Sequence, residues 1–263
     1  MLGKLLKYDL KWIYKAVVVF YILAFIFSVI GRGLSLIENS VLFGILTKVS
    51  YGIAISMLVS AMINNLMRVW ARVIRNVYKD ESYLTHTLPV EKKQIYLSKF
   101  ISAIITMFTT VLVSVVCIGI CYYSQENIEI LKTMLELAAT TYNSSVISLL
   151  FCIFSVFFLE MLFILLIGIV GIILGYRASN NKIIKSIVYA FAMYMITNMV
   201  ALLLVFLVGT FNSEVMNLFN TVDRVDIETI KNLMDAENVL YLVYIVVFYF
   251  IGKKMFEKGV NVD

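Results

Sequence analysis

Six stretches of this chain are each apolar enough to cross a lipid bilayer as a helix. That pattern restricts the fold more than any motif does. A bilayer core takes about 20 mostly apolar residues at a rise of about 1.5 Å each. The runs are Ala16–Ile37, Val49–Met67, Phe100–Tyr123, Val146–Tyr176, Ile187–Phe211 and Val239–Gly252. The last is short for a span, so it borrows from Asp235–Asn238 or stands untilted. Hydrophobic residues make up 62% of the 263 and charged residues only 15%, where soluble domains carry about 25% charged. The expectation is an all-α polytopic membrane protein with six transmembrane helices, forming a single domain over residues 1–263. What remains between the runs is too short for a separate soluble domain.

Six spans put both termini on one side, and basic residues decide which. Residues 1–15, 68–99, 177–185 and 252–263 hold 17 of the 22 lysines and arginines. The opposite loops hold Arg32, Lys48, Lys132, Arg224 and Lys231 and are rich in acids. Both termini are therefore expected in the cytoplasm. The start is not read as a cleaved signal: four lysines punctuate the first 15 residues, with no compact apolar core and no small-residue cleavage site. Cys117, Cys121 and Cys152 lie in apolar runs and read as small buried hydrophobes.

Two segments are amphipathic. On a helix, Lys4, Lys7, Lys11 and Lys15 fall in one arc, opposite Leu2, Leu5, Leu6, Leu10, Trp12 and Ile13. Residues 1–15 therefore read as an interfacial helix along the inner leaflet. Asp9 interrupts the apolar arc and is expected to meet a protein partner or a lysine. In the second, Arg68, Arg72, Arg75 and Lys79 share one face, continuing the second span as a helix. Beside a membrane, this reads as a solvated or lipid-facing basic face rather than a nucleic-acid surface.

Enzymatic machinery is missing from the residues. The chain has no GxxxxGK(S/T) loop to cradle ATP phosphates, no HExxH and no CxxC. One histidine, His86, does not make a zinc site. No cofactor or metal is expected on this chain. Inside the runs, Glu160 is the one acid, and ionisable groups at membrane depth face a bundle interior or a wet cavity. It reads either as a carboxylate on a substrate path or as a structural glutamate between helices. Asn64 and Asn198 are further candidates for such a path; like Asn65, they can equally stitch helices together. Gly168, Gly171 and Gly175 fall on one face of the fourth run and allow close helix contact.

The single proline, Pro89, sits three residues beyond the single histidine, in the longest loop, residues 68–99. Proline lacks an N–H and pushes Leu88 out of the helical region. A short helix over roughly Glu81–Thr87 should end there. A second should start near Pro89–Glu91 and run into the third span. The resulting elbow presents Tyr83, Leu84, His86 and Leu88, which suits docking in a groove of another protein.

The loop sequence KDESYLTHTLPVEKKQIYLSKF resembles the cytoplasmic loop of ABC type-2 permeases from Gram-positive bacteria. There an acidic residue and an aromatic precede TLPV, and a basic residue, an isoleucine and (S/G)-K follow before a span. Thr87, Leu88, Pro89, Val90, Lys92, Ile95, Ser98 and Lys99 match in place; Glu91 stands where a serine is usual. The start MLGKLLKYDLKWIYK is also similar to that family's connecting helix. The resemblance implies the membrane subunit of an exporter in the bacterial plasma membrane. It would pair with a second copy or a related permease and dock on a separate ATP-binding cassette subunit that holds ATP and magnesium. Glu81, Tyr83, Leu84, His86, Thr87, Leu88 and Pro89 would then couple to the ATPase. The substrate reads as amphipathic or hydrophobic, such as an antimicrobial or toxin-like peptide or a drug, since acidic outer loops attract cations. A lipid or polysaccharide exporter, and a non-transporting immunity or sensor module that sequesters a peptide, are the alternatives.

Residues 211–238 are too polar to span yet repeat apolar residues at helical spacing. They read as two short outer helices, the second capped by Asp226. The resemblance implies that they cap the exit of the path, with Phe219, Val222, Ile230 and Leu233 as a lid.

Overall fold

A computed structural model describes residues 1–37, 41–141, 144–211, 213–216 and 227–258, with the backbone alone at 213, 214, 227, 228 and 230. Every regular element among the described residues is helical. Six of the helices are long and apolar enough to cross a membrane, so the chain is a multi-pass membrane protein. It divides into two compact units at Leu131 and Lys132.

The first unit is built on α1 (Leu2–Ser35), α2 (Val41–Val73) and α4 (Lys92–Tyr122). The sequence pattern separates an interfacial segment from the first span, but α1 runs through both without interruption. Nothing in residues 4–30 breaks a helix, and Asp9, Ile13, Val17, Ala24 and Ser28 form one buried stripe along it. The lysines at 4, 7, 11 and 15 are exposed on the other side. On α2, Ser50, Ala54, Leu58, Ala61, Asn65, Val69 and Arg72 are buried at steps of three and four residues. The facing stripe of α4 is as small and hydroxylated, with Ser102, Ala103, Thr106, Thr110 and Ser114. Small side chains let backbones approach where no hydrophobic force separates helix from lipid. Hydroxyls then tie the helices together: Tyr14 to Thr109 at 2.8 Å, Tyr21 to Thr110 at 2.6 Å, and Asn65 Nδ2 to Thr110 at 3.1 Å.

Past α2 the helix widens into one π-helical turn, Ile74–Tyr78, and α3 (Ser82–Thr87) follows. Leu88 and Glu91 on either side of Pro89 are extended, with ψ of 138° at both. The elbow expected from Pro89 is therefore present, its second helix starting at Lys92. A further helix follows α4: α5 (Gln125–Thr141), within which the two units meet in sequence. Its residues have no proline or glycine to break them.

The second unit packs α6 (Val146–Gly175) against α7 (Lys182–Phe211) and α9 (Ile227–Glu257), with the short α8 (Ser213–Met216) between the last two in sequence. From Leu162 to Ile173 nearly every residue of α6 is buried. The glycine face expected on the fourth span meets α7 closely. A Cβ on Gly171 would lie 2.8 Å from the Ala190 side chain and 2.8 Å from the Ser186 carbonyl, and one on Gly175 would overlap Ser186. The turn joining α6 to α7 ends at Asn181, whose φ of 54° is left-handed, a conformation asparagine tolerates better than most residues.

The second short helix expected before the last span is not separate. From Ile227 the chain is one helix to Glu257. No proline or glycine lies between 227 and 251, so the polar group Asp235, Glu237 and Asn238 is carried within the helix. Phe219, Val222 and Asp226 lie outside the described residues, as does the Ile230 side chain.

Candidate functional site

Two sites stand out, one in each unit. The first begins with Asp9, 2% exposed although it is an acid. A buried carboxylate needs donors on both oxygens. Asp9 Oδ1 accepts from Lys99 Nζ at 2.6 Å and from Arg72 Nε at 2.9 Å, and Oδ2 accepts from Ser98 Oγ at 2.8 Å. Arg72 Nη1 donates in turn to Glu81 Oε2 at 2.6 Å. Two cations and two carboxylates thus neutralise each other across α1, α2, α4 and the turn before α3. The Trp12 ring supports the same group: the guanidinium carbons of Arg68, Arg72 and Arg75 lie 5.2, 5.6 and 5.9 Å from its centroid.

The lysine expected to meet Asp9 is Lys99. Arg72 departs from the expected basic face: it is buried at the centre of the network. Periodicity places Arg72 with Arg68 and Arg75, but it cannot show that the same face meets an acid 63 positions earlier. Asp9 and Lys99, from the two segments that carry the family resemblance, are in direct contact.

The network fixes α3. Asn76 Nδ2 donates to Glu81 Oε2 at 3.1 Å and to Thr85 Oγ1 at 2.9 Å. The His86 ring lies 3.2 Å from the Val77 carbonyl through Nε2, and Thr87 Oγ1 donates to the Tyr83 carbonyl at 3.0 Å. Ser82 and Thr85 are buried beneath the helix. On its other side Tyr83 and Leu84 are 76% and 66% exposed, with Leu88 and Pro89 exposed beside them. Six residues make too short a helix to hold by propensity. This one is held by side chains under it and leaves an apolar face uncovered.

The second site is a cavity of about 680 Å³ in the second unit, between α7 and α9 with Phe163 of α6. Its walls include Asn198, Ala201, Leu204 and Val208 of α7, Val215 of α8, and Leu233, Glu237 and Tyr241 of α9. Of the expected path and lid residues, Asn198 and Leu233 line it. Asn198 Nδ2 also donates to the Tyr194 carbonyl of its own helix at 2.8 Å. Glu160 stands on α6 one helical turn before Phe163. Its carboxylate is within electrostatic reach of Glu237. Asn64 belongs to the first unit, where Nδ2 donates to the Ser60 carbonyl at 2.9 Å. The Phe163 ring packs against Tyr241 at 5.5 Å and Tyr244 at 5.4 Å between centroids. The Tyr244 hydroxyl crosses to the Thr197 carbonyl of α7 at 2.9 Å.

Glu237 is not among the expected site residues, because by hydropathy the last span begins after it; Tyr241 falls inside that span but carries no charge to mark it. The signal is present in the spacing of Leu233, Glu237, Leu240, Tyr241 and Tyr244, which is helical throughout. Outside the apolar run but on the same helix, Glu237 of α9 comes within electrostatic reach of Glu160. Comparison with protein-family models, curated proteins and solved structures finds no match to this chain.

Proposed function

We propose that this chain is the membrane subunit of an ATP-driven ABC exporter of the type-2 kind, in the bacterial plasma membrane with both termini cytoplasmic. The observation that carries the reading is α3: a short helix with Tyr83, Leu84 and Leu88 uncovered, held from beneath by charges shared among three long helices. A separate ATP-binding cassette subunit would seat this face in a groove and hold ATP and magnesium, for which this chain has no phosphate loop. Movement of α3 would pull on Glu81, and through Arg72 and Asp9 on α1 and α4 together. A second permease copy, or a related one, would complete the path for an amphipathic or hydrophobic substrate. The lysine arc of the first 15 residues supports a place at lipid headgroups.

The test is ATP turnover by the chain reconstituted with the ATPase that co-purifies from its native membrane. Turnover should rise with the permease present and fall when Leu84 is replaced by aspartate. A chain that purifies alone and binds substrate with no ATP-hydrolysing partner is a sequestering module instead.

A further inference from the structure

The cavity of the second unit has a composition that selects a ligand by charge as well as by shape. A volume of about 680 Å³ is in the range of small-molecule sites, roughly 300–1,000 Å³. Leu204, Val208, Leu233 and Leu240 give it apolar walls. The lining also carries a charge: Glu237 is part of it, Glu160 of α6 lies within electrostatic reach, and the rings of Phe163, Tyr241 and Tyr244 belong to the same wall. Among the described residues, neither carboxylate forms an ion pair with a lysine or arginine. Asp9 differs: it is buried and has its cations, whereas Glu160 is half-buried and Glu237 is exposed.

We propose that this cavity binds an amphiphilic cation, its ammonium against Glu237 and Glu160 and its apolar body along α7 and α9. Three features make the assignment. Carboxylates at membrane depth are costly without a counter-charge, and a ligand ammonium supplies one. Electron-rich ring faces attract the same ammonium, and tyrosine rings do so while still hydrogen-bonding. The remaining wall gains by excluding water from a hydrocarbon body. An anionic or purely neutral amphiphile would leave the acid pair uncompensated. The proposal deepens the export reading by naming the substrate class, and rests on it only for what happens after binding.

Binding can be measured without any ATPase. The chain is placed in phosphatidylcholine nanodiscs and titrated with dansylcadaverine, a fluorescent body bearing a primary ammonium, with empty nanodiscs as background. N-acetylated dansylcadaverine has the same body and no charge. The cation should bind saturably and at least tenfold more tightly than its acetylated form. Glu237→Gln, which is nearly isosteric, should remove most of that preference, and Ala201→Trp should fill the cavity and abolish saturable binding of the cation. Equal affinity of the two probes for the unaltered protein overturns the proposal, even where a variant fails to fold. So does undiminished binding by folded Glu237→Gln or Ala201→Trp. If the cation binds as expected but ATP does not drive its export, the site stands and the export reading fails.

Discussion

Lys99 Nζ donates to Asp9 Oδ1 at 2.6 Å across 90 positions of sequence, and neither residue is more than 4% exposed. This contact joins the first turns of α1 to the start of α4. Breaking a buried pair by removing one partner costs about 3–5 kcal/mol, because the other charge remains buried. Asp9→Ala should therefore lower stability by that amount, leaving Lys99 and Arg72 to share Glu81. Replacing both Asp9 and Lys99 with leucine should recover more than half, since Arg72 keeps Glu81 at 2.6 Å. Chemical denaturation in detergent, arranged as a double-mutant cycle, measures the coupling. Additive losses would show that the pair contributes nothing beyond its separate residues.

In the second unit the decisive contact is backbone against backbone. Gly175 has no space for a Cβ against Ser186, and Gly171 has 2.8 Å to Ala190. Gly175→Leu should separate α6 from α7 and cost more than the ~1–3 kcal/mol typical of overpacking, since backbone must move. A Cβ on Gly119 would meet nothing within 4 Å, so Gly119→Leu should leave the melting temperature within a few degrees. Thermal unfolding of the two variants in one detergent is the comparison, and equal melting temperatures would refute the close approach.

These two contacts mark how far the sequence can be read. Number and type of the long helices follow from hydropathy alone, because a lipid solvent demands helices of a fixed length. The Pro89 elbow and the Gly171–Gly175 face follow from local stereochemistry. Helix ends are less legible. α1 and α9 extend past the apolar runs because helix continues until something stops it, and neither Lys4–Lys15 nor Asp235–Asn238 contains a stop. Pairings between distant residues are beyond reach: one sequence shows that Asp9 is misplaced on an apolar arc, but not that Arg72 and Ser98 join Lys99 around it. Glu237 escapes notice for the same reason as the start of α9.

Orientation rests on the placement of 17 of 22 basic residues on one set of loops. In a variant with Cys117, Cys121 and Cys152 replaced, a cysteine at Glu91 should be spared by a membrane-impermeant maleimide in intact cells. A cysteine at Glu126, exposed in α5, should react at once. Permeabilised cells should label both. Labelling of Glu91 but not Glu126 in intact cells would invert the topology, and the docking role of α3 would go with it.

Coupling through α3 is the strictest demand of the export reading. Leu84 is 66% exposed, so Leu84→Asp changes no packing within the chain and should leave its melting temperature unaltered. In a groove of the ATPase the same carboxylate would lose its water without gaining a cation, at a cost of several kcal/mol on the order of that for a buried unpaired charge. At about 1.4 kcal/mol per factor of ten, affinity for the ATPase should fall at least tenfold. Pro89→Ala acts differently. Leu88 is extended at ψ 138°, and an alanine would let helix continue from α3 towards Lys92, turning the Leu84 face away. That variant should keep the ATPase bound more weakly and lose most substrate-stimulated turnover. His86→Ala should have a smaller effect, since among the described residues His86 anchors α3 through one contact, to the Val77 carbonyl. The measurement is ATP hydrolysis by the three reconstituted complexes titrated with ATPase from below to above saturation. Turnover equal to that of the unaltered complex in Leu84→Asp and Pro89→Ala would mean that force enters the membrane helices somewhere other than α3.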